Sequence, residues 1–379
     1  MLSSKFHPLL LGLAGLTAAA AIAQPAPPPA RVVSPEVQAD HRVTFRFRDP
    51  NAQKVELQLE GKTEHLPMQK DEAGVWSVTS DALEPDYYGY SFVADGIGLI
   101  DPVNPLMKPN LLNTQSMVHV PGPPSLPWEV NEVPRGVVHH HFYKSGVVGD
   151  QRDYYVYTPP GYDAASKQKY PVLYLLHGYS DDARGWTAVG QANVILDNLI
   201  AQQKAKPMIV VMTLGYGALE MLAHGSAAFR EPDLRQRNLT KFRESLLTEV
   251  IPQIEKEYRA ATDKKSRAIA GLSMGGSESL FVGLTSADRF AWIGAFSSGG
   301  LSENFDQQFS EMKAKDVSQL ELLWIACGTD DRLIEPNRHF REWLTSKGVK
   351  HTDIDTPGAH TWMVWRRNLA TFAPLLFRK

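Results

Sequence analysis

Two rhythms of apolar residues divide the chain. In the first part they alternate with polar ones in steps of two: Val43, Phe45 and Phe47 with Thr44, Arg46 and Arg48, then Val55, Leu57 and Leu59 with Lys54, Glu56 and Gln58. Gly74 to Val78 and Tyr87 to Val93 follow among turn residues. A period of two places one face against a core and the other in water, so residues 31–120 are expected to form a small β-sandwich of short antiparallel strands. From residue 135 onward the apolar stretches lose this alternation. Val172–Leu176, Met208–Leu214, Arg267–Ala270, Trp292–Phe296 and Leu322–Cys327 are nearly unbroken, as strands buried on both faces require. Between them, Phe242, Leu246, Leu247, Val250, Ile251 and Ile254 recur at helical spacing, predicting a helix over Leu239–Tyr258. Strands alternating with helices predict a doubly wound α/β domain over 135–379. Pro121, Pro123, Pro124 and Pro127 mark a linker over 121–134. The stretch Gly215–Asp233, with weaker periodicity, is expected to be an irregular loop over the cleft.

The first 30 residues belong to neither rhythm. Lys5 and His7 precede the apolar run Leu9–Leu16, and an alanine-rich segment ends in Ala21-Ile22-Ala23. This is the pattern of a secretory signal peptide over 1–23, cleaved near Ala23, and it places the mature chain in the periplasm or outside the cell. Residues 24–30, with Pro25, Pro27, Pro28 and Pro29, form an extended spacer. No later run is long and apolar enough to anchor the chain in a membrane. A single cysteine, Cys327, excludes an internal disulfide framework. The formal net charge of −3 gives no reason to expect a nucleic-acid partner. A small or polysaccharide-linked organic substrate is the simpler expectation.

The residues that carry chemistry lie at the ends of the buried runs. Gly271-Leu272-Ser273-Met274-Gly275 follows Arg267–Ala270 and precedes a helix-compatible segment, the pattern of a nucleophile elbow. Ser273 is the candidate nucleophile. A serine hydroxyl needs a base, itself oriented by an acid, and in α/β-hydrolases these follow in the order serine, acid, histidine. The acid belongs in Gly328-Thr329-Asp330-Asp331, where spacing leaves both aspartates open; the other one is free to cap the helix expected near Glu335-Pro336. The base belongs at His360, on the loop after the alternating run His351–Asp355. Val172–Leu176 runs into His177-Gly178-Tyr179, the place for a loop that donates a backbone N–H to an oxyanion. The amides of Met274 and Tyr179 are the candidate donors, with His177 shaping the loop. His139, His140 and His141 are consecutive, so a strand would point neighbours to opposite faces, and no ligand pattern accompanies them. Neither metal nor cofactor is expected.

These residues together resemble carbohydrate esterase family one, the esterase D-like α/β-hydrolases, and bacterial feruloyl esterases in particular. The resemblance runs through Tyr157-Thr158-Pro159-Pro160-Gly161-Tyr162, His177-Gly178, Trp186, the segment Ala192–Ile200, Gly271–Gly276, Cys327-Gly328-Thr329-Asp330-Asp331 and Gly358-Ala359-His360-Thr361-Trp362. It implies that the acid is Asp331, and that an ester is cleaved through an acyl-enzyme on Ser273. The 31–120 region is similar to the early-set, immunoglobulin-like domain that precedes catalytic domains in glycogen-branching enzymes, a carbohydrate-binding-module-like unit. Trp76, Tyr87, Tyr88 and Tyr90 are its candidate sugar-stacking residues, and Asn104-Pro105-Leu106-Met107 is a loop that could reach the active site. Trp186, Trp362 and Trp365 are candidates for packing against an aromatic acyl group. Hydroxycinnamoyl esters of plant cell-wall xylan are the first substrate class implied, and acetylated xylan is close behind. A siderophore trilactone is the next, which a basic pocket would favour. A noncatalytic glycan-binding protein is the remote alternative, against which the complete set of Ser273, Asp331 and His360 argues.

Overall fold

The computed structural model describes residues 31–378. The signal peptide expected at 1–23 and the spacer expected at 24–30 lie outside them. The alternating region forms two sheets. One has Glu36–Val37, Val43–Arg48, Val75–Thr79 and Gln69–Lys70 side by side; the other is ordered Leu66–Pro67, Val55–Leu59, Asp86–Ala94, Gln115–Val120 and Met107–Lys108, with Ile97–Leu99 also paired to Asp86–Ala94. Phe45 and Phe47 of the first sheet and Leu57, Tyr90 and Phe92 of the second share one apolar cluster, as the period of two demands. Trp76, Tyr88 and Tyr90, candidates for stacking a sugar, are buried in or beside this core instead. Tyr87 stacks on His119 and lies under the Arg366 guanidinium. No saccharide platform is built from these rings.

The second sheet system has eight strands: β1 (Val137–Lys144), β2 (Gln151–Thr158), β3 (Val172–Leu176), β4 (Ile209–Thr213), β5 (Arg267–Leu272), β6 (Trp292–Phe296), β7 (Leu322–Gly328) and β8 (Thr352–Thr356). They lie in the order β1-β2-β4-β3-β5-β6-β7-β8. The six strands from β3 to β8 are parallel, while β1 pairs antiparallel to β2 and β2 antiparallel to β4. The five buried runs of the sequence are thus all strands, and the two antiparallel ones, half polar, extend the sheet beyond them. Helices cover both faces. Trp186, Leu196, Phe296, Trp324 and Trp362 pack on one, and Tyr174, Phe242, Phe281, Phe290 and Phe340 on the other. Each fully buried aromatic or leucine side chain contributes about 1.5–3 kcal/mol. Among the described residues no helix is long and apolar enough to cross a membrane.

The helix expected over Leu239–Tyr258 begins earlier, as α2 (Pro232–Ser245), after α1 (Ala192–Ala201). It passes through a π turn at Leu246–Val250 before continuing to Glu257. Pro252 has no N–H to give to a regular ladder, and the widened turn lies just ahead of it. The stretch Gly215–Asp233, expected to be an irregular loop, contains a helical turn at Glu220–Ala223 and a 3-10 segment at Gly225–Arg230. Its apolar residues Met221 and Ala228 are buried with Tyr216 and Met274, which explains why it is ordered despite weak periodicity.

The two sheet systems are bolted together next to the C-terminal helix. Three helices close the chain's second part: α3 (Met274–Thr285), α4 (Ile334–Ser346) and α5 (Trp362–Phe372). From α5, Arg366 is fully buried and donates to Asp86 Oδ1 from Nε at 3.0 Å and from Nη2 at 2.7 Å. It also donates to the carbonyls of Val189 and Tyr87. One turn earlier Met363 packs against the core of the N-terminal sheets. A buried charge is tolerated only when its donors are satisfied in this way.

Candidate active site

Strand register brings the predicted residues together. Leu176 of β3 lies opposite Gly271 of β5, so the loop from His177 and the turn at Ser273 leave the sheet side by side. Gly328 of β7 lies opposite Thr356 of β8, which does the same for the loops bearing Asp331 and His360. The latter two are tied by the Asp330 N–H to the Gly358 carbonyl at 3.0 Å.

Ser273 has φ 52° and ψ −115°, the strained turn of a nucleophile elbow. Glycines make this turn possible. A Cβ on Gly271 would run into the Gly275 carbonyl, and one on Gly275 into the His177 carbonyl. The Ser273 N–H is held by the Phe296 carbonyl at 2.8 Å. Its hydroxyl stands 3.0 Å from His360 Nε2, and His360 Nδ1 is 2.7 Å from Asp331 Oδ2. Burial works against ionising Asp331, but the hydrogen bond and charge of His360 and the Leu333 N–H outweigh it and hold its carboxyl below the usual range. Such a carboxylate fixes the His360 tautomer that leaves Nε2 free to accept the serine proton. Asp330 is exposed and has no part in this chain of contacts. Nor does it cap α4: the residue before that helix, Leu333, supplies no side-chain cap, and its N–H is taken by Asp331 itself at 2.9 Å.

Met274 opens α3, where the first backbone N–H groups have no intrahelical acceptor. Gly178, which precedes Tyr179, touches the nucleophile turn: a Cβ there would lie 3.3 Å from Ser273 Cβ. His177 shapes this loop in a definite way. It is buried, its Nδ1 lies 2.7 Å from the Gly178 carbonyl, and its Nε2 accepts the Gly215 N–H at 2.9 Å. Burial pushes its pKa down to about 4, so the ring is neutral, with the proton on Nδ1 where it has an acceptor. The carbonyl of Gly178 and the N–H of Tyr179 belong to one planar peptide, so fixing the first aims the second.

Ser273 and His360 open into a cavity of about 630 Å³. Trp362 and Trp365 line it, and Trp365 meets the His360 ring edge-on at 4.9 Å. Trp186 does not. It is fully buried, gives its Nε1–H to the Leu176 carbonyl at 2.8 Å and meets Trp362 edge-on, so it supports a cavity residue instead of touching substrate. The wall facing Ser273 was not legible in the sequence. It comes from the N-terminal sheets, through Glu60, Lys108, Asn110, Asn113 and Gln115. The expected contact loop Asn104–Met107 stands just short of these positions, and Asn104 is spent internally on Tyr90 and the Met117 carbonyl. Phe229, Arg230 and Arg332 complete the rim, and Gly299 sits against the nucleophile, where a Cβ would lie 3.2 Å from Ser273 Oγ. Only the turn chemistry of Lys108-Pro109-Asn110 signalled a bend at the wall; nothing local signalled its destination. Among the described residues no group of three or more His, Cys, Asp and Glu side chains could hold a metal ion. His140 pairs with Asp153, and His141 stacks on Tyr154.

A serine, a histidine and an acid in hydrogen-bonded sequence beside a cavity can carry out acyl transfer, and known proteins agree with that chemistry. The Esterase family model matches residues 145–376. A protein of Xylanibacter ruminicola named endo-1,4-beta-xylanase/feruloyl esterase is 29% identical over 351 residues, 91% of this chain and 46% of its own. The chain therefore spans about half the length of that relative. The solved CE1 ferulic acid esterase of the fungus Anaeromyces mucronatus is 25% identical, with a TM-score of 0.57 over 66% of this chain and 93% of that one. Enterochelin esterase of Shigella flexneri, 19% identical, shares the fold with a TM-score of 0.66 over 90% of this chain and 94% of its own. The chain belongs to the Esterase family and is a carboxylic ester hydrolase built on the α/β-hydrolase fold.

Proposed function

We propose that this chain is an exported feruloyl esterase that releases hydroxycinnamic acids from plant cell-wall polysaccharide through an acyl-enzyme on Ser273. The single observation that carries the reading is the run from Asp331 through His360 to Ser273 Oγ at the edge of a cavity lined by Trp362 and Trp365. His360 takes the serine proton as Oγ attacks the ester carbonyl, and Asp331 orients and stabilises the imidazolium. The amides of Met274 and Tyr179 hold the oxyanion. His360 then gives the proton to the leaving alcohol, and a water activated by the same ring releases the acid. The indole faces suit a planar aromatic acyl group. In this reading the two N-terminal sheets are an early-set, immunoglobulin-like module that walls the cavity. The Xylanibacter ruminicola relative supports the substrate class, because its likeness extends over 91% of the chain, N-terminal sheets included.

One observation favours a second reading. Arg230 and Arg332 both line the cavity and make no ion pair among the described residues, whereas Lys108 on the same surface is paired with Glu60 at 2.8 Å. A basic cavity suits a catecholate-bearing siderophore trilactone. Initial rates on methyl ferulate, acetylated xylan and enterobactin, with Ser273→Ala in parallel, separate these cases. Ferulate hydrolysis abolished in the variant is the expected result. Preference for enterobactin keeps the chemistry and moves the substrate, while activity surviving in Ser273→Ala overturns the assignment of the nucleophile.

A further inference from the structure

The wall contributed by the N-terminal sheets does more than face the cavity. Its strap, residues 108–115, is fastened to the loop that carries the Tyr179 amide. The Leu111 N–H donates to the Ser180 carbonyl at 2.7 Å. Asn110 Nδ2 donates to Ser180 Oγ at 2.9 Å and to Asp181 Oδ1 at 3.0 Å. Ser180 needs holding, because its φ is 68°, a left-handed conformation that a residue with a Cβ rarely adopts. From the other side the Ser180 N–H is taken by the Tyr216 hydroxyl at 2.6 Å. Asn110 is itself rigid: its Oδ1 accepts the N–H groups of Leu112 and Asn113, both at 3.0 Å, and its carbonyl accepts the Thr114 hydroxyl. One side chain thus closes a turn with its oxygen and grips the neighbouring loop with its nitrogen.

We propose that Asn110 is a positioning residue for catalysis, through which the N-terminal sheets hold the Tyr179 amide in its oxyanion-binding orientation. The proposal rests on the reading of Tyr179 as an oxyanion donor. It makes the N-terminal sheets part of the catalytic apparatus for every ester, whatever the acyl group. A misplacement of about 1 Å in such a site can cost up to about a hundredfold in rate.

The test is Asn110→Asp, which keeps the oxygen that closes the turn and removes the nitrogen that grips the loop. Asn110→Ser, also with an acceptor for the turn but uncharged and too short to reach, separates the lost donor from the added charge. Rates are normalised to active sites titrated with a fluorophosphonate, so partial folding does not enter. For both variants we expect kcat to fall about tenfold or more on p-nitrophenyl acetate and on methyl ferulate alike, with KM within about twofold. A trifluoromethyl ketone, which presents an oxyanion, should lose affinity by the same factor. Unchanged kcat in both variants overturns the proposal. So does a loss confined to KM for methyl ferulate, which would make Asn110 a substrate contact. A wild-type protein that hydrolyses neither ester would instead refute the functional reading itself.

Discussion

The two sides of the cavity are built on different principles. On one side, Ser273, Asp331 and His360 stand at the ends of parallel strands of one sheet, and each is placed within a few residues of the strand that carries it. On the other, Glu60, Lys108 and Asn110 arrive from sheets that precede the hydrolase fold in the chain, and contacts across about 70 residues, such as Asn110 to Ser180 and Asp181, put them in place. The reacting groups are placed by local geometry. The surface that faces the substrate is placed by packing between distant parts of the chain, so the two should fail differently when disturbed.

The sharpest way to test that contrast is at the acid loop, where neighbouring aspartates differ only in where they point. Asp331→Asn leaves the loop intact but gives His360 Nδ1 an amide in place of a carboxylate. kcat should fall about 10⁴-fold, the scale of that change in a serine–histidine–aspartate triad. Asp330→Asn, exposed and outside the chain of contacts, should stay within about twofold of the parent. Single-turnover acylation rates of the two variants settle the point. Equal losses would mean that the loop, not the Asp331 carboxylate, is what matters.

A smaller effect should follow from breaking the long-range side. Removing one partner of a buried ion pair leaves the other charged and unpaired, at a cost of about 3–5 kcal/mol. Asp86→Ala strands the Arg366 guanidinium, which has no exposed surface. The stability measured by urea denaturation should drop by that amount. Arg366 lies one residue beyond Trp365, which packs on His360, so the variant should also lose activity before it unfolds. If stability falls while turnover per folded molecule is unchanged, the N-terminal sheets are only a structural buttress.

How much of this was legible in the sequence follows the same division. The strand-ending motifs at Ser273, His360 and His177 were readable because buried parallel strands leave unbroken apolar runs and the elbow demands glycines at Gly271 and Gly275. Choosing Asp331 over Asp330 needed a family resemblance, since both follow the same strand and only the turn that the Asp331 N–H closes on the Gly328 carbonyl decides which faces His360. Trp186 was misjudged for a general reason: a tryptophan near a catalytic loop looks the same in sequence whether its ring lines the cavity or backs the residue that does. Trp76, Tyr88 and Tyr90 look like an aromatic platform in one dimension, and only the pairing of two sheets shows that they face inward. The strap at 108–115 had no signal beyond its turn residues, because its partners Ser180 and Asp181 lie far along the chain.

The mildest disturbance concerns the carboxyl on which strap and oxyanion loop meet. Asp181 is buried, and burial raises its pKa to about 7, against the opposing effects of the Asn110 donor and the Lys108 charge; its neighbour Asp182 adds to the rise. An acid whose folded pKa exceeds its unfolded one of about 3.9 keeps a proton in the folded state that the unfolded chain has lost. Folding stability therefore declines as pH rises from about 4 to about 7 and levels off above that. The shift corresponds to about 4 kcal/mol as an upper bound at 1.36 kcal/mol per unit, because a loop that admits water relieves part of it. Asp181→Asn keeps an oxygen for Asn110 and never ionises. Its melting temperature should exceed the parent's at pH 8, and the gap should shrink as the pH is lowered towards 5. A gap independent of pH would mean that Asp181 is already ionised in the folded protein. The strap would then be held to the oxyanion loop by a charged hydrogen bond to Asn110, and the Asn110 variants should in that case lose the same factor of activity at pH 6 as at pH 8.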